Sequence, residues 1–136
     1  MSKGNTTETD VLQAIFHGTA FSWAANTDLY IALHTADPGE AGSQTTSEAT
    51  YTSYARVTVA RSALGWDVVG NTASNDDLLQ FPQCTGGSNV ITHVSIGTTL
   101  AAAGQILYSG ALNSSLTVSN LIQPQFAIAA LAATED

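Results

Sequence analysis

The sequence predicts an all-β fold: a two-sheet antiparallel β-sandwich, jelly-roll-like, with one short N-terminal helix. Apolar and polar residues alternate over about eight short segments, turn-forming residues separate these segments, and only 10% of the 136 residues are charged. Alternation with a period of two is typical of strands that bury one face. About eight strands favour a jelly roll over an immunoglobulin-like sandwich.

The helix is expected within an N-terminal segment, residues 1–27. Thr7 or Thr9 is the predicted N-cap, and Gly18 is the predicted end. Apolar side chains then form one stripe at helical spacing: Val11, Leu12, Ile15 and Phe16. Two interpretations of this stripe stay open, because it can pack on the core of its own domain or dock on a partner protein.

The strands are expected after the helix, beginning with residues 29–34, where Leu29, Ile31 and Leu33 alternate with other residues. The other predicted strands cover residues 54–61, 65–69, 78–81, 90–96, 106–112, 116–118 and 126–131. Clusters of Gly, Asn, Ser and Pro at residues 37–39, 70–72, 86–89 and 113–115 predict turns between them. The last strand is alanine-rich, and its composition also suits a helix.

Residues 35–53 form one long polar loop with hardly an apolar side chain before Tyr51. Long irregular loops in compact domains are usually functional or mobile. No linker or internal repeat divides the chain, so residues 1–136 are predicted to form a single domain.

Charge and cysteine content limit the classes of function. Eleven acidic and three basic residues give a net charge of -8, which argues against nucleic acid and anionic membranes as partners. The sequence has no apolar run of about 20 residues and no apolar stretch behind a basic start, so neither a spanning helix nor a secretory signal is expected. Cys84 is the single cysteine, which excludes an internal disulfide and a cysteine-clustered metal site.

No pattern of residues predicts catalysis, and the chain is not expected to be an enzyme. No serine lies in a Gly-x-Ser-x-Gly elbow, and His17 is placed to interact with the free carbonyls at the helix end. The carboxylates of Asp37, Glu40 and Glu48 lack the spacing of a calcium loop and are interpreted as solvated. We therefore predict no catalytic residues, no cofactor and no metal.

Five residues are candidates for a protein interface: Phe21, Trp23, Tyr51, Tyr54 and Arg56. Phe21 and Trp23 lie outside the clear strands, and buried aromatic side chains dominate interface energetics. Ordinary core packing is an equal alternative for them, whereas Trp66 is expected in the core.

Arg56 follows two of the candidate tyrosines and lies five residues before Arg61. Because five is an odd number, the two arginines face opposite sides of a straight strand. One arginine is expected to bridge an acidic loop, and the other to face solvent or a subunit.

The order of motifs along the chain resembles a family of small tailed-bacteriophage virion proteins, often labelled tail-fibre-like or structural. The motifs are residues 29–39, 54–57, Trp66, 81–82, 96–97, Gly104 and 107–112. Within that family the chain looks most like a capsid decoration, or cement, protein. The resemblance covers residues 29 to 126 and includes no catalytic signature.

The resemblance implies a subunit that binds the major capsid protein, stabilises the head and self-associates, most simply as a dimer. It places the chain on the capsid exterior of a virion assembled in the host cytoplasm. Two alternatives stay open: a tail- or fibre-associated virion protein, and a host-glycan-binding module in which exposed tyrosines stack on sugars.

Overall fold

The computed structural model describes residues 1–136 as one helix and ten strands. The helix α1 spans Asn5–His17. The strands are β1 (Ser2–Lys3), β2 (Asp28–His34), β3 (Val57–Ala60), β4 (Trp66–Val69), β5 (Thr72–Asn75), β6 (Leu79–Gln80), β7 (Asn89–Gly97), β8 (Ile106–Val118), β9 (Gln125–Phe126) and β10 (Ala132–Thr134).

The strands form a five-stranded sheet in the order β1-β8-β7-β2-β3, a three-stranded sheet in the order β10-β5-β4, and the pair β6-β9. Every pairing is antiparallel. The all-β, antiparallel class with one short helix is thus confirmed, and the two larger sheets are consistent with a sandwich. The jelly-roll topology stays a prediction.

The core contains the apolar face of the central strands. Ile31 of β2 pairs with Val57 on one side and with Ile96 on the other, so side chains of three strands share one face. The core cluster is Ile31, Leu33, Ala49, Tyr51, Val59, Leu79, Phe81, Cys84, Ile91, Val94, Ile96, Val118, Leu131 and Ala133. Cys84 is a free thiol and is fully buried in this cluster.

Helix α1 begins earlier than predicted. Gly4 is the N-cap. Glycine is required at this position because a Cβ would collide with the backbone carbonyl of Ile106. The predicted caps Thr7 and Thr9 are wrong, since both lie inside the helix. The Thr7 hydroxyl donates to the Ile106 carbonyl, and the Thr9 hydroxyl donates to the Asn5 carbonyl one turn earlier. Gly18 ends the helix in the left-handed conformation (φ 66°), as predicted.

Two predicted strand boundaries are also wrong. Residues 106–112 and 116–118 belong to the single strand β8, although the predicted turn at 113–115 coincides with an irregularity: β7 places Ile91 opposite Leu116 and His93 opposite Ala111. The predicted strand 126–131 is extended only at Phe126. Residues 127–131 form a turn instead, which the buried Asn75 side chain holds by hydrogen bonds to the backbone of Ala127 and Leu131.

Residues 35–53 are held on the five-stranded sheet by polar contacts around Arg56. The Arg56 guanidinium donates two hydrogen bonds to Glu48, from Nε to Oε1 at 2.7 Å and from Nη2 to Oε2 at 2.8 Å. It also donates to the carbonyl oxygens of Thr99 (2.9 Å) and Ala102 (2.8 Å) and, over longer distances, to the Thr99 hydroxyl and the Gln44 side-chain oxygen. The prediction that one arginine bridges an acidic loop is confirmed for Arg56.

Gln44 is the second polar anchor of this loop and is fully buried. Its amide donates to the carbonyl of Tyr30 at 3.0 Å and accepts from the Thr99 amide at 3.1 Å. Gly97 and Gly104 leave room for its side chain, because a Cβ at either position would overlap it. The loop thereby covers the face of β2 opposite the apolar core.

His34, on that second face, is fully buried. Nδ1 lies 2.8 Å from the Thr46 carbonyl oxygen, which can only accept, so Nδ1 carries the proton. Nε2 is then the acceptor for the Ser95 hydroxyl at 2.7 Å. Burial lowers the pKa of His34 below its ordinary value of 6.5, outweighing the Thr46 hydrogen bond and the Glu48 charge, which raise it.

Replacing Arg56 by Met is expected to lower the free energy of unfolding by about 3–5 kcal/mol, because Glu48 keeps a largely buried charge without its cation. The double variant R56M/E48L removes both charges and should recover part of that loss. Urea unfolding measures both effects. The control is Lys3→Met, which breaks the more exposed Lys3–Glu135 pair and should change stability little. Equal effects of R56M and K3M would contradict the assignment.

Acid is expected to destabilise the chain through His34. Its folded pKa is lowered, so the unfolded state takes up the proton first, and this contribution is lost as the pH falls below the ordinary value of 6.5. Unfolding free energies measured between about pH 5 and 8 should therefore depend less on pH in H34Q than in the parent chain. H17Q, which changes an exposed histidine of α1, is the matched control variant. Identical pH profiles for H34Q and the parent would contradict this role.

Candidate functional site

Three of the five candidate interface residues have internal roles in this structure. Tyr51 is 3% exposed and its hydroxyl donates to the Pro82 carbonyl at 2.9 Å, while burial raises its pKa to about 12. Tyr54 donates its hydroxyl to Glu48 at 3.0 Å, and burial raises its pKa further. Arg56 is 6% exposed. These side chains therefore fix the loop of residues 35–53 rather than present a surface.

The other two candidates, Phe21 and Trp23, lie between α1 and β2 and are half-buried. Their rings stack with centroids 4.8 Å apart, and the Arg61 guanidinium lies 4.9 Å from the centroid of the Trp23 ring. Arg61 also donates to the carbonyls of Ala24 (2.9 Å) and Asn26 (3.1 Å). This arginine faces the solvent side, opposite Arg56, and its charge is used to hold the Phe21–Trp23 segment.

Helix α1 exposes its large apolar side chains. Leu12, Ile15 and Phe16 are 57%, 67% and 75% exposed. The helix is attached by its polar side instead, where the Thr7 hydroxyl donates to the Ile106 carbonyl and the Gln105 amide donates to Asp10 at 2.9 Å. The interpretation that these three residues pack on the domain's own core is therefore wrong. We call Leu12, Ile15 and Phe16 the α1 apolar face.

A cleft of about 560 Å³ lies between the five-stranded and three-stranded sheets. Leu29, Ile96 and Leu107 form the wall on the larger sheet, and Val68 and Ala73 belong to the facing wall. Ile96 and Leu107 are nearly fully buried, whereas Val68 is 67% exposed at the mouth. We call this space the intersheet cleft.

The intersheet cleft exists because the smaller sheet presents short side chains. Ala73 is paired with Val68 on one side and with Ala133 on the other, so two of these three adjacent positions carry only a methyl group. Well-packed sheets lie about 10 Å apart and fill that space with interdigitating side chains. Alanines leave part of it unfilled. Trp66 closes one side of the cleft and packs against the core, as predicted, but its indole N–H has no acceptor within the chain.

Charged residues line the cleft as well as apolar ones. Asp67 and Asp76 are exposed and form no ion pair, because the two ion pairs of the chain join Lys3 to Glu135 and Arg56 to Glu48. Arg61 also lines the cleft, but its guanidinium is engaged by Trp23 and neighbouring carbonyls. Two carboxylates and one guanidinium thus leave the lining of the cleft with a net negative charge.

The geometry offers surfaces for contact and no assembled metal centre. No group of three or more His, Cys, Asp or Glu side chains is close enough together to hold a metal ion. The one helix, α1, is not long and apolar enough to cross a membrane. The Ser95–His34 contact is fully buried and its imidazole proton is directed at a backbone carbonyl, so this pair has a structural role.

Sequence reasoning did not find the intersheet cleft. Its alanines are unremarkable in the sequence, and no strand is predicted at β5, of which only Thr72 falls in the predicted turn at residues 70–72. One signal in the sequence could have indicated the cleft. Val68 and Val69 are adjacent apolar residues in one strand of a hairpin, and the partner strand carries only small and polar side chains. Such an arm has no apolar partners for one of its faces.

Comparison with known proteins adds the family. No curated protein matches the chain. A protein-family model described as podophage GP4 fiber I protein gp80 matches residues 2–134, which is nearly the whole sequence. With an antiparallel β fold, exposed apolar surfaces and no assembled metal centre already established, the chain belongs to this gp80 fiber I family and is a structural protein of a bacteriophage virion.

Proposed function

We propose that the chain is a fibre-associated structural subunit of the virion, with no enzymatic activity, that attaches to another virion protein through the α1 apolar face. The description of its family supports the fibre assignment. The observation that carries the proposal is the exposure of Leu12, Ile15 and Phe16 on a helix that is attached to its own domain by polar contacts.

Helix α1 would be only marginally stable by itself, but its exposed apolar side chains suit it for binding a partner protein. An isolated helix of 13 residues is marginal in water, and Thr7 is its one buried residue. Burying a Leu, Ile or Phe side chain completely contributes about 1.5–3 kcal/mol. An amphipathic helix that lays such residues into an apolar groove is a common mode of protein recognition. Contact with a neighbouring virion protein would therefore stabilise both the attachment and the helix.

Capsid decoration is the second candidate. In this reading the chain binds the major capsid protein on the capsid exterior and stabilises the head, with a dimer as the simplest self-association. One observation favours it: the described chain is one β domain without the repeating elements of a fibrous shaft. Many copies on a lattice gain avidity without a large interface for each copy.

Tyr51 and Tyr54 do not support the host-glycan alternative. It depends on exposed tyrosines that stack on sugar rings. Tyr51 is buried, and the Tyr54 hydroxyl and ring are occupied by Glu48 and by stacking near Phe81.

Copy number and position in purified particles distinguish the two candidates. The fibre assignment predicts a few copies for each particle at the tail or a fibre, whereas decoration predicts a copy number close to that of the major capsid protein. Quantitative mass spectrometry and cryo-electron microscopy of the same particles measure both. Particles that lack the chain altogether would refute both candidates.

The double variant I15S/F16S is expected to fold normally and to be lost from particles. Both side chains are mostly exposed, so their removal costs the isolated chain little, whereas it removes the apolar contact with the partner. Thermal unfolding of the purified chain and its abundance in particles are the two measurements. Leu64→Ser, at a site that is 79% exposed elsewhere on the surface, is the matched control and should leave both unchanged. Normal incorporation of I15S/F16S would exclude α1 as the attachment surface.

A further inference from the structure

We propose that the intersheet cleft is a second docking site, which takes an extended apolar segment of another virion protein carrying a Lys or Arg beside its apolar side chains. This inference rests on the proposed role as a virion subunit and adds the chemistry of one partner. The α1 apolar face and the cleft are separate surfaces, so each can hold a different neighbour.

The walls of the cleft select an apolar occupant. Its floor is formed by Ile96 and Leu107, and Val68 stands at the mouth with two-thirds of its surface exposed. A volume of about 560 Å³ accommodates several aliphatic side chains. Burial of those side chains would complete a sandwich that Ala73 and Ala133 leave incompletely filled.

The edge of the smaller sheet favours an extended segment. Strand β4 is the last strand in the order β10-β5-β4, so its outer backbone groups have no strand partner. Three of its residues, Trp66, Asp67 and Val68, line the cleft. A segment in extended conformation can therefore place side chains in the cleft while its backbone pairs with β4.

Charge selects a basic partner and disfavours a second copy of this chain. Asp67 and Asp76 line the cleft and form no ion pair, and they outnumber the one cation of the lining, Arg61, which donates to the carbonyls of Ala24 and Asn26. A second copy has a net charge of -8, and its Lys3, Arg56 and Arg61 are already engaged in internal contacts. A segment with one or two free Lys or Arg residues complements these carboxylates instead.

Photo-crosslinking in assembled particles tests the occupant. Val68→p-benzoyl-phenylalanine places a photoreactive ring at the cleft mouth. The same substitution at Val69, an equally exposed residue of β4 that does not line the cleft, is the matched control. We expect the Val68 probe to capture a virion segment that contains aliphatic or aromatic residues with Lys or Arg among them, and the Val69 probe not to capture that segment.

The captured segment, made as a synthetic peptide, then tests the charge and the cleft in solution. D67N/D76N should weaken its binding roughly two- to thirtyfold, the range for two exposed ion pairs, and should remove most of its salt dependence. Asp77→Asn, which neutralises an adjacent carboxylate outside the cleft, should not weaken binding. Ala63→Trp should block the mouth, whereas Leu64→Trp, next to it but outside the cleft, should not.

Several results would overturn the inference. They are capture of a second copy of this chain, capture of an acidic or wholly polar segment, no capture from Val68, and equal binding by D67N/D76N and D77N. Each of these results leaves the proposed function intact if the chain is present in particles and I15S/F16S is lost from them. Absence of the parent chain from particles would instead refute the proposed function.

Discussion

The fold depends on one buried cation. Residues 35–53 contribute only Ala49 and Tyr51 to the apolar core, and yet they cover one face of the central strand β2. The Arg56 guanidinium makes this possible, because it binds the Glu48 carboxylate at two points and two carbonyl oxygens besides. Taking these charges out of water is costly, and only a fully satisfied set of partners offsets that cost. The loop therefore has one arrangement in which every partner is matched.

This constraint explains why the long loop is a structural part of the domain. Gln44 and His34 are both fully buried beneath it, and each uses its polar atoms on backbone carbonyls or on a neighbouring hydroxyl. The strand β2 is consequently covered on both faces: Ile31 and Leu33 meet the apolar core, and Ala32 and His34 meet the loop. The two proposed contact surfaces, the α1 apolar face and the intersheet cleft, therefore lie outside this loop.

The sequence predicted the strands whose period was clear and missed those whose pairing depends on distant residues. Alternation identified β2, and Gly18 identified the end of α1, because both signals are local. Strands β5 and β10 carry small and polar residues, and they are strands only because they pair with each other and with β4. The turn at residues 127–131 depends on Asn75, some fifty residues away. For the same reason the cleft between the sheets and the internal role of Tyr51 were not visible from local patterns. The sequence predicted that one arginine bridges an acidic loop, but not that this arginine is Arg56. The apolar stripe of α1 was visible, but the direction in which it faces was not.

The position of Cys84 has a practical consequence for following this subunit in the particle. The only thiol of the chain is fully buried among core residues, where a maleimide reagent has no access to it while the domain is folded. A cysteine introduced at an exposed position can therefore carry a fluorophore or a heavy-atom cluster at a single known site. The natural thiol need not be removed first, and delayed labelling at Cys84 would report directly on opening of the core.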